Sequence, residues 1–228
     1  TGPPLSSPLP CTGNRASCGH SRIKEVTLLG QIVNRYGKDE PAVNGRSAFV
    51  RLLEDLHEID GLERIRFTSP HPIGFRQDLV NAYTYLPKLC SHIHFPMQSG
   101  SDRILKLMLR PYKNEKYLRL CEAMREARPD LAITTDIIVG FPGETEEDFE
   151  QTLLLAKEVQ FFHIHIFPYS EREGTPAATM AGSVPPEIRK RRAAELERVN
   201  AECKTKLLQK AVGSECDVHF ETKKGEYN

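Results

Sequence analysis

Polar or Gly/Pro-rich segments follow each predicted strand, and they hold most of the side chains that could bind a ligand. In parallel α/β folds, ligands bind at the carboxyl ends of the strands. These segments offer amides, hydroxyls and charged groups, but no nucleophile–base pair, P-loop or Gly-x-Gly-x-x-Gly loop. We therefore expect a bound cofactor to supply the chemistry, and we assign no catalytic residue. The candidate binding residues are Gln31, Ser69, Gln98, Ser99, Asp136 and Arg172.

The strongest local feature is segment 136–145, in which a predicted strand runs into a turn and then a helix N-terminus. Gly140 and Gly143 let the backbone approach a ligand closely, and the amides that follow point outward as donors. Glu144 lies in the same turn. An ordinary turn with a well-made cap would give the same pattern, so the residues alone leave both interpretations open.

Two histidine pairs could bind a metal, because alternate residues of a strand face the same side. Asp136 or His71 could complete such a site, which would indicate a metal-dependent hydrolase. Packed, hydrogen-bonded histidines are more common, so we assign no metal ligand. The pairs are His92 with His94 and His163 with His165.

Short apolar runs, each suited to a buried strand, alternate with helical patterns along the chain. This alternation predicts parallel strands joined by right-handed crossovers. A full or partial β/α barrel is the expected fold, and a doubly wound open sheet is the alternative. The predicted strands are 25–29, 64–68, 92–95, 132–139 and 162–167.

Three helices have recognisable start signals. Ser47 and Asn114 are predicted to cap two of them, and the second should end near Arg128, before a proline. Thr145 is predicted to cap the third in a capping box that uses Asp148 in place of the usual glutamate.

The chain divides into four predicted segments. Residues 1–22 form an irregular lead-in, 23–184 form the α/β region, 185–212 form one long helix, and 213–228 begin a further β element. The long helix has more Lys and Arg than Glu, so it could follow nucleic-acid phosphates or simply be a solvated face.

Composition excludes several classes of protein. Lys+Arg and Asp+Glu are both 31, so the net charge gives no support for a nucleic-acid partner. No apolar run approaches the roughly 20 residues that span a bilayer. The six cysteines are scattered and include no Cys-x-x-Cys pair, as is typical of a reduced protein. We expect a cytoplasmic protein without membrane contact.

Several motifs together resemble those of radical S-adenosylmethionine (SAM) methylthiotransferases, and their order and spacing match across about residues 23–215. The resemblance implies a partial radical-SAM (β/α) barrel at 23–184, a connecting helix at 185–212 and the first strand of a TRAM-like β domain at 213–228. The motifs are segments 27–31, 67–72, 96–101, 135–145 and 169–177.

The resemblance also implies roles for the candidate residues. Gly140, Gly143 and Glu144 would belong to the loop near the adenine of SAM. Arg172 would lie toward the second cluster or the substrate. The residues implied to line the SAM pocket are Gln31, Ser69, Gln98, Ser99 and Asp136.

The function implied by the resemblance is tRNA modification. The most similar branch adds a methylthio group to C2 of an N6-prenylated adenosine, position 37, beside the anticodon. A second branch acts on threonylcarbamoyladenosine, and a third on a ribosomal-protein aspartate. The implied partner is the anticodon stem-loop of tRNA, and we expect the protein to be a monomer.

The family holds a [4Fe–4S] cluster on a Cys-x3-Cys-x2-Cys motif that this sequence does not contain. Cys11 and Cys18 precede the first predicted strand, but two thiolates at that spacing cannot hold a cluster. We therefore expect an incomplete form of the enzyme. A non-catalytic RNA-binding remnant is a further alternative, with Arg191 and Arg192 of the long helix contacting the RNA.

Overall fold

The computed structural model of the chain describes residues 23–215. The predicted lead-in, with Cys11 and Cys18, lies outside the described residues, as does most of the predicted segment 213–228. The described part forms two compact units. Unit 1 takes the residues up to Pro96 together with Pro111–Thr134, and unit 2 takes Met97–Arg110 together with the residues from Thr135 onward.

The observed strands agree with the predicted ones to within one residue at each end, because each is a short, largely apolar or β-branched run. The strands are β1 (Glu25–Leu28), β2 (Arg64–Phe67), β3 (His92–His94), β4 (Ala132–Val139) and β5 (His163–Pro168). The helices are α1 (Ala48–His57), α2 (Gln77–Tyr85), α3 (Asp102–Leu107), α4 (Asn114–Ala127), α5 (Glu146–Val159) and α6 (Pro186–Ala211).

Unit 1 confirms the prediction of parallel strands. β1 pairs in parallel with β2, with Val26 opposite Ile65, and β3 pairs in parallel with the start of β4, with Ile93 opposite Ile133. Phe67 of β2 packs edge-on against Phe49 of α1, with 5.3 Å between the ring centroids. The strand-end loops of unit 1 are thus anchored to a packed apolar core.

In unit 2 the remainder of β4 lies beside β5. Helix α6 packs on both β5 and α5. The buried stripe of α6 includes Leu196, Val199 and Cys203, and the side-chain oxygen of Asn200 accepts the Ile164 N–H of β5 at 3.0 Å. The long helix therefore belongs to the core of unit 2 as far as Cys203.

Two of the three predicted caps are confirmed. The Ser47 side chain accepts the Val50 N–H at the start of α1, and Thr145 forms the predicted capping box with Asp148 at the start of α5. The prediction for Asn114 is wrong, because Lys113 takes the extended backbone of the cap position and Asn114 is already helical. That helix still ends at Arg128, as predicted.

The long helix has 26 residues, close to the predicted span, with Pro185 at its N-cap. It is not a uniformly solvated basic face, because Arg192 is only 4% exposed. Within residues 23–215, none of the helices combines the length and the apolar character that crossing a bilayer requires.

Candidate cofactor cleft

The structure brings three of the predicted site residues together in one cleft of unit 2. Gln98, Asp136 and Arg172 line a cleft of about 400 Å³, a volume within the usual range for small-molecule sites. The cleft mixes hydrogen-bonding and apolar groups. The other lining residues are Ile138, Phe167, Pro168, Tyr169, Ser170, Thr175 and Ala177.

Backbone hydrogen bonds hold Gln98 and Asp136 side by side. The Gln98 N–H donates to the Asp136 carbonyl at 2.8 Å, and the Ile138 N–H donates to the Gln98 carbonyl at 2.9 Å. This parallel bridge pairs the loop that precedes α3 with β4, with Gln98 opposite Ile137. The Gln98 and Asp136 side chains both line the cleft, at an end of the sheet where a ligand is expected.

Gln98 has a left-handed backbone, with φ of 69°. A non-glycine residue in this region costs about 1–2 kcal/mol, and such strain clusters at ligand sites. The strained residue is held from one side by the Met97 N–H, which donates to the Thr135 hydroxyl at 2.8 Å. The conformation supports the assignment of Gln98 as a ligand-facing residue.

Ser99, in contrast, is not among the residues that line the cleft. It is 1% exposed, and its hydroxyl accepts the Ser101 N–H at 3.2 Å. The adjacent Gly100 packs against α5 so closely that a Cβ there would lie 2.3 Å from the Thr152 Cα. This part of the predicted binding loop anchors the turn rather than presenting a ligand contact.

The loop that contains Gly140 and Glu144 is fixed from inside the protein. One Glu144 carboxylate oxygen accepts the Gly140 N–H at 3.0 Å and the Arg192 guanidinium at 2.7 Å. Gly140 has φ of 74°, and a Cβ there would lie 2.4 Å from the Arg189 Cγ. The Glu144 side chain is only 3% exposed, so it stabilises the loop from the protein interior.

Burial raises the pKa of Glu144, although the Gly140 N–H and the Arg192 charge oppose the rise. Arg192 also donates to a carboxylate oxygen of Glu146 at 3.0 Å. Arg191 contacts Glu146 as well, from an exposed position. The two arginines that could have followed RNA phosphates are thus engaged with acidic residues of the loop between β4 and α5 and of α5 itself.

A third arginine of α6 holds the loop that follows β5. Arg189 donates to the Tyr169 carbonyl and to the Val184 carbonyl, both at 2.7 Å. Its guanidinium lies over the Tyr169 ring, 5.4 Å from the centroid. The first turns of α6 therefore brace the loop before α5 and the loop after β5, a role that the sequence analysis missed.

In the sequence, Arg192 stands four residues before Leu196, on the stripe that continues through Val199 and Cys203. A charged residue on the apolar stripe of a helix signals a buried, paired charge. This periodicity is the signal that could have identified Arg192, because counting charges along the helix does not separate buried from exposed positions.

Asp148 joins the start of α5 to α3. Its carboxylate accepts the Ser101 hydroxyl at 2.6 Å and the Thr145 N–H at 2.9 Å, and it pairs with Arg103. Burial alone would raise the pKa of Asp148, but these hydrogen bonds outweigh it and hold the pKa well below its usual range. The capping box is thus part of a charged network.

The two predicted site residues of unit 1 follow its first two strands. Gln31 is exposed beyond β1, and Ser69 is half-buried beyond β2 with φ of 55°. The two loops are joined by Asn34, whose amide donates to the His71 carbonyl at 3.0 Å and accepts the His71 N–H at 2.9 Å. Like Gln98, Ser69 thus has a left-handed backbone just after a strand.

The histidine pairs take part in packing interactions. His92 and His94 both contact the Thr134 hydroxyl, at 3.1 and 3.0 Å. Burial lowers the pKa of His92. The rings of His163 and His165 meet edge to face, with 4.5 Å between their centroids. These contacts explain how the histidines pack, and the metal-dependent hydrolase stays an alternative prediction.

Comparison with known proteins decides the family. The profile of the Radical SAM superfamily matches residues 22–156, more than half of the chain. The chain belongs to the radical SAM superfamily. Enzymes of this superfamily use SAM and an iron–sulfur cluster, in agreement with the cofactor expected from the sequence.

Curated relatives are similar over most of this radical SAM chain. A tRNA-2-methylthio-N(6)-dimethylallyladenosine synthase from Akkermansia muciniphila is 60% identical over 87% of the chain and 43% of the relative. Proteins of the same name from Methylacidiphilum infernorum and Opitutus terrae are 51% and 53% identical over 87% and 82% of the chain. The chain spans about 40% of the length of these relatives.

A solved radical SAM structure shares the fold. Coproporphyrinogen III oxidase from Escherichia coli superposes with a TM-score of 0.54 over 67% of this chain and 36% of that enzyme, at 18% sequence identity. This likeness supports a mixed α/β radical SAM fold with parallel strands.

The described cysteines do not fit an iron–sulfur cluster. Cys121 and Cys203 are buried and Cys90 is half-buried. A cluster needs several thiolates close together, and within the described residues no cysteine belongs to a group whose ligand atoms lie close enough to share a metal. Among residues 23–215 we therefore assign no cluster ligand.

The cleft does fit SAM. It has hydrogen-bond donors and acceptors beside an apolar wall. SAM, which combines a nucleoside with an amino acid, requires both kinds of surface. Tyr169 lines the cleft, and its phenolic oxygen is buried without a hydrogen-bond partner among the described residues. A buried hydroxyl of this kind is expected to gain its partner when a ligand binds.

Proposed function

We propose that this chain is the SAM-binding part of a tRNA methylthiotransferase that forms 2-methylthio-N6-dimethylallyladenosine at position 37, beside the anticodon. The observation that carries the proposal is the 60% identity over 87% of the chain to a protein named for that product. Threonylcarbamoyladenosine, the substrate of a related branch, is the alternative.

The finer architecture is part of the same proposal. Residues 23–184 would form a partial (β/α) barrel, 185–212 a connecting helix, and 213–228 the first strand of a TRAM-like β domain. The parallel pairing of β1 with β2 and of β3 with β4 supports this arrangement. We also propose that the protein acts in the cytoplasm as a monomer and contacts the anticodon stem-loop.

When bound, SAM supplies the radical chemistry of the superfamily. In unit 2, Gln98 and Asp136 would hydrogen-bond the ligand from adjacent strand ends, and Tyr169 would donate its buried hydroxyl. Gly140 and Gly143 would allow the backbone to approach the adenine, while Glu144 keeps the loop in shape. Arg172, exposed at the rim of the cleft, would face the substrate.

Gln31 and Ser69 of unit 1 would contribute further SAM contacts, supported by the strained backbone of Ser69. Ser99 would support SAM binding indirectly, by stabilising the turn that contains Gln98. No described residue acts as a ligand of the cluster, so we derive no step through it.

Disrupting the gene that encodes this sequence tests the proposal. Mass spectrometry of nucleosides from host tRNA should show loss of the 2-methylthio derivative and accumulation of N6-dimethylallyladenosine. Loss of only the methylthio derivative of threonylcarbamoyladenosine would establish the alternative. An unchanged nucleoside profile would contradict both.

A further inference from the structure

Residues 170–184 form a segment between β5 and α6 that supplies part of the wall of the cofactor cleft. Residues 170–176 of this segment are all exposed, so little apolar burial holds them in place. Segments with few buried contacts open at a low cost in free energy, and the shape of the cleft therefore depends on what fixes the two ends of this segment. The cleft residues that it supplies are Ser170, Arg172, Thr175 and Ala177.

One side chain, that of Arg189 in the first turn of α6, contacts both ends of the segment. At the start, its guanidinium donates to the Tyr169 carbonyl at 2.7 Å and lies 3.7 Å from a Glu171 carboxylate oxygen. At the other end, it donates to the Val184 carbonyl at 2.7 Å and to the Ser183 hydroxyl at 3.0 Å. The Ser183 hydroxyl in turn donates to Glu171 at 3.4 Å, so the two ends are joined to each other.

The same arginine packs against the ring of a residue that lines the cleft. Its guanidinium lies 5.4 Å from the centroid of the Tyr169 ring, and the Tyr169 phenolic oxygen is buried without a hydrogen-bond partner among the described residues. The Arg189 side chain is only 13% exposed, and it is not among the residues that line the cleft. It can therefore influence a ligand in the cleft only through the groups that it holds.

We propose that Arg189 is a positioning residue for the cofactor, which holds the 170–184 segment beside the cleft and directs the Tyr169 hydroxyl at the ligand. The inference rests on the proposed function, in which the cleft binds SAM. A ligand that accepts the Tyr169 hydroxyl stabilises the same conformation that Arg189 stabilises, so SAM binding and the Arg189 contacts are coupled. Loss of the arginine should weaken SAM binding by way of Tyr169.

A double-mutant cycle with SAM as the ligand tests this coupling. Ligand-observed NMR titrations give the Kd of wild type, Arg189→Met, Tyr169→Phe and the double variant. Each single substitution should raise the Kd about tenfold, and the double variant should bind no more than about twofold more weakly than Tyr169→Phe, because both changes remove one hydroxyl contact. Fully additive losses, or a wild-type Kd in Arg189→Met, would overturn the inference.

Hydrogen exchange distinguishes positioning from a general loss of stability. SAM should slow exchange of the amides of residues 170–184 in wild type. Without SAM, these amides should exchange about tenfold faster in Arg189→Met, since hydrogen bonds at both ends are lost, while those of β4 stay unchanged. Lys190→Met, at the exposed neighbouring position, should behave as wild type. Faster exchange throughout unit 2 in Arg189→Met would refute the positioning role.

Two further variants keep the inference testable if Arg189→Met does not fold. Arg189→Lys keeps the charge, but one ammonium cannot reproduce contacts made by three guanidinium nitrogens, so it should bind SAM about threefold more weakly than wild type. Ser183→Ala removes one contact at the end of the segment and should have a similar effect. A wild-type Kd in both variants would overturn the inference alone. Failure of wild type to bind SAM would contradict the proposed function and the inference with it.

Discussion

In unit 1 a neutral amide joins the loops that follow β1 and β2, whereas in unit 2 a buried ion pair fixes the loop between β4 and α5. Asn34 exchanges two hydrogen bonds with the backbone of His71. Glu144 and Arg192 form an ion pair whose side chains are 3% and 4% exposed.

This difference indicates how strongly the stability of each unit should respond to substitution. A neutral hydrogen bond contributes about 0.5–1.5 kcal/mol, and its loss costs about 1–3 kcal/mol if a buried partner is left unsatisfied. Removing one member of a buried ion pair costs about 3–5 kcal/mol, because the remaining charge stays in the protein interior. We therefore expect unit 2 to respond more strongly to substitution and to pH than unit 1.

The largest effect is expected for Arg192→Met, which leaves the Glu144 carboxylate buried and unpaired. The free energy of unfolding should fall by about 3–5 kcal/mol in urea titrations. Arg191→Met is the matched control, because Arg191 is 44% exposed and its ion pair should contribute less than about 1 kcal/mol. Equal, small losses for the two variants would show that the buried pair does not hold the loop.

Asp148→Asn should cost about 2 kcal/mol near pH 7, since charged hydrogen bonds of this kind are among the stronger ones. The folded pKa of Asp148 lies below its unfolded value. Its contribution is therefore present above the unfolded pKa of about 3.9 and is lost as the pH falls. The gap in unfolding free energy between wild type and variant should shrink between about pH 5 and pH 2. A gap that stays constant over this range would contradict the charged network.

Asn34→Ala should destabilise unit 1 by about 1–2 kcal/mol, because the His71 backbone loses both partners. No charge is involved, so the loss should be the same at pH 5 and pH 9. Hydrogen exchange of the backbone amides in the 68–75 loop measures it locally. Asn81→Ala removes an exposed side-chain pair with Gln77 and is expected to cost less than about 0.5 kcal/mol. Similar exchange rates in the two variants would argue against Asn34 as the joint between these loops.

The smallest effect is expected for Gln98→Gly. Glycine accepts the left-handed backbone without strain but adds chain entropy to the unfolded state, so a net gain of about 0.5 kcal/mol is expected. Affinity for SAM should nevertheless fall, because the side-chain amide is gone. A thermal shift combined with a SAM titration would show both changes. A loss of stability would mean that the glutamine side chain supports the fold instead of the ligand.

The sequence predicted the elements well where one local rule decides them. Short apolar runs located the strands to within one residue, and hydroxyl side chains at Ser47 and Thr145 marked true caps. The prediction that Asn114 caps α4 failed, because Lys113, which has an extended backbone, occupies the cap position. The motif residues Gln98, Asp136 and Arg172 line one cleft, and their roles as ligand contacts stay predictions.

What the sequence did not reveal depends on tertiary context. Arg192 and its neighbours looked like one basic face, and only packing shows which of them are buried. The left-handed backbones at Ser69 and Gln98 have no signature in residue type, because residues other than glycine, asparagine and aspartate rarely adopt them.

Binding of SAM to the cleft is the most direct test, and saturation-transfer NMR can follow it even at millimolar affinity. Wild-type chain should bind SAM, and Gln98→Ala and Asp136→Ala should each weaken binding about tenfold without lowering Tm. Asp130→Ala, at an exposed position of unit 1, should leave binding unchanged. Failure of the wild-type chain to bind SAM, or equal affinity in all four proteins, would contradict the assignment of the cleft.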